Sequence, residues 1–267
     1  GVRRSKKRFA GMLDLGNRVT VQLTRGRGRL PLITEVDLEH GHPHLRADLE
    51  RIAQMAYLCE WTGSLAREEH PEPKLFGLLQ VALLVLDAAT TPPRPAFRWG
   101  FEAKALSFAG IAPGLKRCMV CGLSFGEEEL RYSPASGGVV HAHCGSGPAL
   151  SHQLARQVEK ARMTPLAELV DWEPEAGPSW ALHTHLAWHV GKGLNSRELL
   201  ASVEGLGLMA VLYLQGGGAP PDVGVGALVF QTDWPMGLQA PFLDSAWLAE
   251  TFPWQVAQIE EVLEESD

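Results

Sequence analysis

The sequence predicts an α+β protein with its two kinds of structure kept apart: a basic β segment, a helical region interrupted by a cysteine-rich loop, and a closing stretch of different composition. Three observations carry this. Alternation of polar and apolar residues is confined to residues 1–40. A period of about 3.6 residues dominates most of residues 41–204. Three of the four cysteines fall within the 27 residues from Cys118 to Cys144.

The chain has 267 residues and is 45% apolar, enough to bury a core. No apolar stretch follows the basic N-terminus as in a secretory signal. The longest apolar run, from Phe76 to Leu86 with one Gln, is too short to span a bilayer. The expectation is a cytoplasmic protein that makes no use of a membrane. Charge is segregated. Residues 1–30 hold nine Lys/Arg against Asp14 alone, a net of +8, which leaves −15 for the rest of a chain whose total is −7. After Arg197 there are eleven acids and no Lys or Arg. One end attracts polyanions and the other repels them.

In "RVTVQLTR" (Arg18–Arg25), Val19, Val21 and Leu23 share one face. "RGRG" makes a turn, and "RLPLITEVD" (Arg29–Asp37) sets Leu30, Leu32 and Thr34 on one face, which predicts a hairpin with a basic tip. Two strands do not make a stable sheet alone, and the chain opens on Gly1 in what reads as mid-domain, so further strands upstream are expected. Leu45, Leu49, Ile52, Met55, Ala56 and Cys59 keep helical spacing to about Leu65. "PEPKLFGLLQVALLVLDAAT" begins with prolines and is apolar almost all round, which predicts a buried helix. After "TTPPRP" a third helix runs from Ala96 to about Phe108. Helices return at about Pro148–Met163, Ser179–Val190 and Ser196–Val203, the last capped from Asn195–Ser196. Residues 205–267 are rich in Gly, Pro and acids and form an extension of unassigned structure.

The cysteine loop, residues 117–145, carries the strongest motif. Cys118-x2-Cys121, nineteen residues, then His141-x2-Cys144 gives two pairs with the spacing of zinc knuckles. Gly122 and the Gly137–Gly138 pair suit the turns, and the residues between can form a hairpin. The ligand set is Cys118, Cys121, His141 and Cys144, with His143 as the alternative fourth ligand. Four protein ligands leave no position for water, so such a Zn2+ is structural and not catalytic. Arg117 stands where a zinc deaminase would have proline.

Basic residues cluster in "RRSKKRF" and "RGRGR". Arg3, Arg4, Lys6, Lys7, Arg8, Arg25, Arg27 and Arg29 are the candidate nucleic-acid contacts, because cations on a strand-linked turn neutralise phosphates without reading bases; a solvated charge run is the alternative. "HGHPH" (His40, His42, His44) reads as a solvated loop, and His185 and His189 lie on one helical face without the Glu of a metalloprotease motif. Cys59 reads as a core thiol. No Walker, Gly-x-Gly-x-x-Gly or Gly-x-Ser-x-Gly motif occurs, so no enzyme activity is expected.

Taken in order, "GVRRSKKRFAGMLD", "RGRGRLPLITEVDL", "LRADLERIAQMAYLCEW", "KRCMVCG…YSPASGGVVHAHC" and "HTHLAWHVGKGLNSRELL" resemble the bacterial recombination mediator family RecO over about residues 1–200. The resemblance implies that residues 1–40 are the later part of an N-terminal OB-fold whose first strands are absent, and that residues 41–204 are a helical domain with an inserted zinc ribbon or knuckle. It implies a nucleoid-associated mediator of RecF-pathway DNA repair. Such a protein binds and anneals single- and double-stranded DNA, works with RecR, and engages the C-terminal tail of single-stranded-DNA-binding protein. It also helps load the recombinase RecA. His141 stands where that family usually has a third cysteine, and residues 205–267 have no counterpart in it. A zinc-ribbon protein-interaction module with little direct DNA binding is the alternative.

Overall fold

In the computed structural model the residues described are 9, 11–24, 31–46, 48–67, 69–175 and 180–203. The chain divides into two units at Leu200, and the second lies outside the described residues beyond Val203. The first is a mixed α/β unit. Its elements are β1 (Arg18–Thr24), β2 (Leu32–His40), α1 (Leu49–Leu65), α2 (Pro73–Ala88), α3 (Pro95–Phe108), β3 (Leu130–Ser133), β4 (Gly138–His141), β5 (Ala149–Leu150), α4 (His152–Met163) and α5 (Trp180–Val190). Residues 196–203 are also helical. No helix among the described residues is long and apolar enough to cross a membrane.

β1 and β2 pair antiparallel, with Thr20 opposite Asp37 and Val21 opposite Val36. Irregularities after Arg18 and Gln22 shift the register, so the expected single apolar face is divided. Val36 turns inward, while Val21, Leu23, Leu32 and Leu38 stay exposed. The hairpin is tied to the helices through Arg46, which donates to the carbonyls of Leu15 and Gly41 and to Asn17 Oδ1. His42, expected in a solvated loop, is buried with Nδ1 2.8 Å from the Gly16 carbonyl.

α1 starts later than the apolar spacing predicts. Residues Pro43–Arg46 form a 3-10 turn, and Asp48 caps the helix by accepting the Arg51 N–H. Arg51 then donates to the carbonyls of Leu86 and Ala89, satisfying the C-terminus of α2. α2 is not buried all round. Leu75, Leu78, Ala82, Leu83 and Leu86 face inward, while Phe76, Val81 and Leu84 are exposed and the Arg18 guanidinium lies 6.0 Å from the Phe76 ring centroid. Composition alone does not reveal which apolar stripe finds a partner. α3 is the central helix: Ala96, Phe97, Trp99, Phe101, Ala103, Ala105 and Leu106 are all essentially buried. Gly100 lets α4 approach closely, since a Cβ there would sit 3.0 Å from the Ala161 carbonyl oxygen. Lys104 on α3 donates to the carbonyls of Ala161, Arg162 and Thr164, closing the end of α4.

α4 also starts later than the sequence expectation. It begins at His152 because Ser151 caps it, and the preceding Ala149–Leu150 adds a strand to β3. The helix at 196–203 is capped from a distance. Glu60 on α1 accepts from the N–H groups of Asn195 and Ser196 and from the Ser196 hydroxyl. Burial opposes ionisation of Glu60, yet these donors and Lys192 hold its carboxyl below the usual range. Glu60→Ala is expected to cost about 1–2 kcal/mol in a urea titration, the scale of a lost cap. A change within a few tenths would show that this helix start needs no partner from α1.

Candidate metal centre

The three-stranded sheet, in order β4-β3-β5, builds the site. β3 and β4 are antiparallel, with Tyr132 opposite Val139 and Leu130 opposite His141. Ser133 leads into a 3-10 turn that ends at Gly137 with φ +84°. Gly138 then runs beside Gly114, and a Cβ at Gly138 would sit 2.3 Å from the Gly114 oxygen. Glycine is required there by contact, not only by backbone angle. The reverse side of the hairpin is anchored by Tyr132, fully buried with Trp180 edge-on at 5.6 Å and His185 at 6.1 Å.

Two turns deliver the ligands. In the first, the Gly122 N–H donates to the Cys118 carbonyl and the Cys118 N–H to the Leu123 carbonyl. Gly122 has φ +74°, the conformation a knuckle turn requires. The Met119 N–H donates to the Val139 carbonyl, which locks this turn to β4. In the second, the Cys144 N–H donates to the His141 carbonyl. One donor atom from each of Cys118, Cys121, His141 and Cys144 lies within 4.8 Å of the others. His141 Nδ1 is 3.3 Å from Cys121 Sγ and 3.8 Å from Cys144 Sγ. A tetrahedral zinc with bonds of about 2.0–2.3 Å needs ligand atoms about 3.5–3.8 Å apart, so the donor set fits the ion.

The electrostatics suit a cation. Burial pushes the Cys118 thiol up, but the backbone N–H groups of Cys121, His141 and Val120, with the Cys121 thiol, outweigh it and bring Cys118 down to about 6. Burial and then the neighbouring Cys121 and Cys118 push Cys144 up to about 11. Of these two thiols Cys118 is the readier to ionise and Cys144 the more reluctant. His143, the alternative ligand, instead stacks on His141, with rings 5.1 Å apart and 5° from parallel. On the far side of His141, Nε2 is 2.9 Å from Glu128 Oε1.

The expected DNA contacts Arg3, Arg4, Lys6, Lys7, Arg8, Arg25, Arg27 and Arg29 lie outside the described residues. Between the two basic clusters, Arg18 is described and pairs with Glu39 at 2.5 Å. Cys59 is largely covered on α1, and burial pushes its thiol up to about 11, as a core thiol requires. His185 Nε2 donates to the Ile111 carbonyl, 2.8 Å away, with the exposed His189 ring 4.7 Å off; among the described residues the pair is part of no metal-ligand cluster. The neighbouring His183, unremarked in the sequence, joins a buried polar group with Tyr57 and Glu102.

A family model for the C-terminal part of recombination protein O matches residues 46–198. The DNA repair protein RecO of Myxococcus xanthus (strain DK1622) is 33% identical over 210 residues, covering 76% of this chain and 83% of that protein. That of Anaeromyxobacter dehalogenans (strain 2CP-C) is 34% identical over 213 residues with the same coverage. The RecO of Desulfatibacillum aliphaticivorans is 31% identical over 216 residues, covering 74% and 81%.

Proposed function

The chain belongs to the RecO family, and we propose that it acts in DNA repair as a recombination mediator, binding and annealing DNA strands without catalysing a reaction. The observation that carries this is the extent of the match: relatives named as DNA repair proteins align over about three quarters of the chain, and the family model spans the helices and the metal loop together. Charge supports it, because the nine cations of residues 1–30 contrast with an otherwise acidic chain.

Residues 1–40 serve as part of an OB-fold, of which β1 and β2 are two strands. Arg3, Arg4, Lys6, Lys7, Arg8, Arg25, Arg27 and Arg29 neutralise phosphates of single- or double-stranded DNA. Neutralisation lets complementary strands approach while their bases stay free to pair. Cys118, Cys121, His141 and Cys144 hold a structural Zn2+, which would fix the two turns to the β3–β4 hairpin. RecR and the C-terminal tail of single-stranded-DNA-binding protein are the proposed partners, with RecA loading as the outcome.

Binding of a labelled single-stranded oligonucleotide is expected to weaken steeply with salt, each phosphate contact adding about 0.7 to the slope of log affinity against log salt. Replacing Arg3, Arg4, Lys6, Lys7 and Arg8 with alanine should lower both slope and affinity, the latter at least about tenfold. Binding that hardly responds to salt would remove the assignment. A second reading rests on Met119, Val120 and Leu123, which are 46%, 56% and 66% exposed on the first cysteine turn. An apolar tip of that kind suits a protein-docking module. It predicts little shift of the oligonucleotide.

A further inference from the structure

We propose that Glu128 is the positioning residue of the metal site: it selects the nitrogen through which His141 binds, and it supplies the negative charge that a fourth cysteine would carry. This rests on the reading of the four residues as a zinc site.

His141 is buried, at 3% exposure. A neutral imidazole carries one proton, and the nitrogen without it is the one able to bind a metal. Nε2 of His141 is 2.9 Å from Glu128 Oε1, and a carboxylate only accepts. The proton therefore belongs on Nε2. That leaves the lone pair on Nδ1, the atom within 3.3 Å of Cys121 Sγ and 3.8 Å of Cys144 Sγ. The hydrogen bond thus points the correct nitrogen at the sulfurs, and it makes that nitrogen a stronger donor.

Glu128 is itself held in place. Its Oε1 also accepts the Gly126 N–H at 3.0 Å, and its backbone carbonyl accepts from His152 Nε2, at the start of α4, at 2.9 Å. The His141 ring cannot easily swing away. Phe125 stands edge-on to it at 5.1 Å, and His143 stacks against it. Charge gives the second half of the inference. Zinc with four thiolates has a net charge of −2, whereas three thiolates and a neutral imidazole leave −1. A carboxylate bonded to the imidazole returns the group to −2.

The test compares metal affinity in four full-length proteins: wild type, Glu128→Gln, His141→Cys and the double variant. Affinity is read by competition with a chromophoric chelator, and ligand geometry by the absorption of the Co2+ form. Wild type should bind one Zn2+ or Co2+. Glu128→Gln should retain one metal per chain, bind it about 10–100-fold more weakly, and shift the Co2+ ligand-field bands. His141→Cys has no imidazole for Glu128 to hold, so the same Glu128→Gln change should have little effect there. An equal loss in both backgrounds would mean that Glu128 acts on the loop and not on the histidine, and would overturn the proposal. So would unchanged affinity in Glu128→Gln. A wild-type chain that binds no metal would remove the zinc reading itself, and the proposal with it. Far-ultraviolet dichroism of each variant shows whether the helices remain folded.

Discussion

His141→Ala is expected to lose stoichiometric zinc and the stability it lends to the two cysteine turns, while His143→Ala keeps both. The geometry separates two histidines that sequence spacing leaves only ranked: His141 Nδ1 joins the three sulfurs, and His143 stacks behind it. The effect should be large at the two ligand turns, which have less apolar burial than the β3–β4 hairpin beside them. Met119 and Val120, the residues between the two cysteines of the first turn, face solvent, so the turn contributes little apolar burial. Structural zinc in small metal domains contributes on the order of 10 kcal/mol to folding near neutral pH. Removing it should leave three thiols in close contact and release the turns, while the buried helices around α3 persist. Zinc measured per chain, together with proteolysis of the loop, checks this. Zinc retained in His141→Ala and lost in His143→Ala would move the fourth ligand.

The second large effect lies away from the metal. Glu102→Ala on α3 is expected to cost about 3–5 kcal/mol in a urea titration, the range for removing one partner of a buried charged group. Tyr57 on α1 donates to Glu102 Oε1 at 2.7 Å and receives Nε2 of His183 on α5 at 2.8 Å. Arg98 Nε is 3.7 Å from the same Glu102 oxygen. Three helices thus meet at one carboxylate that is fully buried. Tyr57→Phe should cost about 1–1.5 kcal/mol, and the double variant less than the sum, because both changes break the same bond. A loss below about 1 kcal/mol for Glu102→Ala would show that the group can be dismantled without consequence.

The same region sets an acid limit. Burial first, then the charges of Arg197 and Arg98, brings His183 down to about 3. Burial, then His189, brings His185 down to about 4, against a smaller opposing pull from the Ile111 carbonyl. Both rings are neutral in the fold, and both take up protons near pH 6.5 once unfolded. Their contribution is therefore intact above about pH 6.5 and is lost as pH falls from there toward 3–4. Denaturation midpoints measured at pH 7.5 and 5 should differ in that direction.

The residues that were legible in the sequence share one property: their meaning is local. Cys118, Cys121, His141 and Cys144 are read from spacing, because a turn of fixed length brings an x2 pair to one point whatever surrounds it. Gly122 and Gly137 are read the same way. The starts of α2 and α3 are close to expectation, since Pro73 and Pro95 act on their own backbone. The errors arise where a distant partner decides. The last helix starts where Asn195–Ser196 predicts, but the acceptor for its first N–H groups, Glu60, comes from α1. α2 looked buried on every side, yet only the stripe through Leu75, Leu78, Ala82 and Leu86 found neighbours. The run Glu127-Glu128-Glu129 offers three acids, and only the register of β3 against β4 selects Glu128 to meet His141.

Read without a fold, the sequence establishes the family of the chain, the four clustered candidate metal ligands as a set, and the concentration of positive charge in residues 1–30. Spacing, composition and charge need no fold to be read. The tertiary structure decided which imidazole nitrogen faces the sulfurs, which acid stands behind it, and which of α5's histidines are buried in a polar group. Those are contacts between residues far apart in the chain, or choices among adjacent equals. They are settled by the few ångströms over which a hydrogen bond acts, a distance that exists only once the elements have packed.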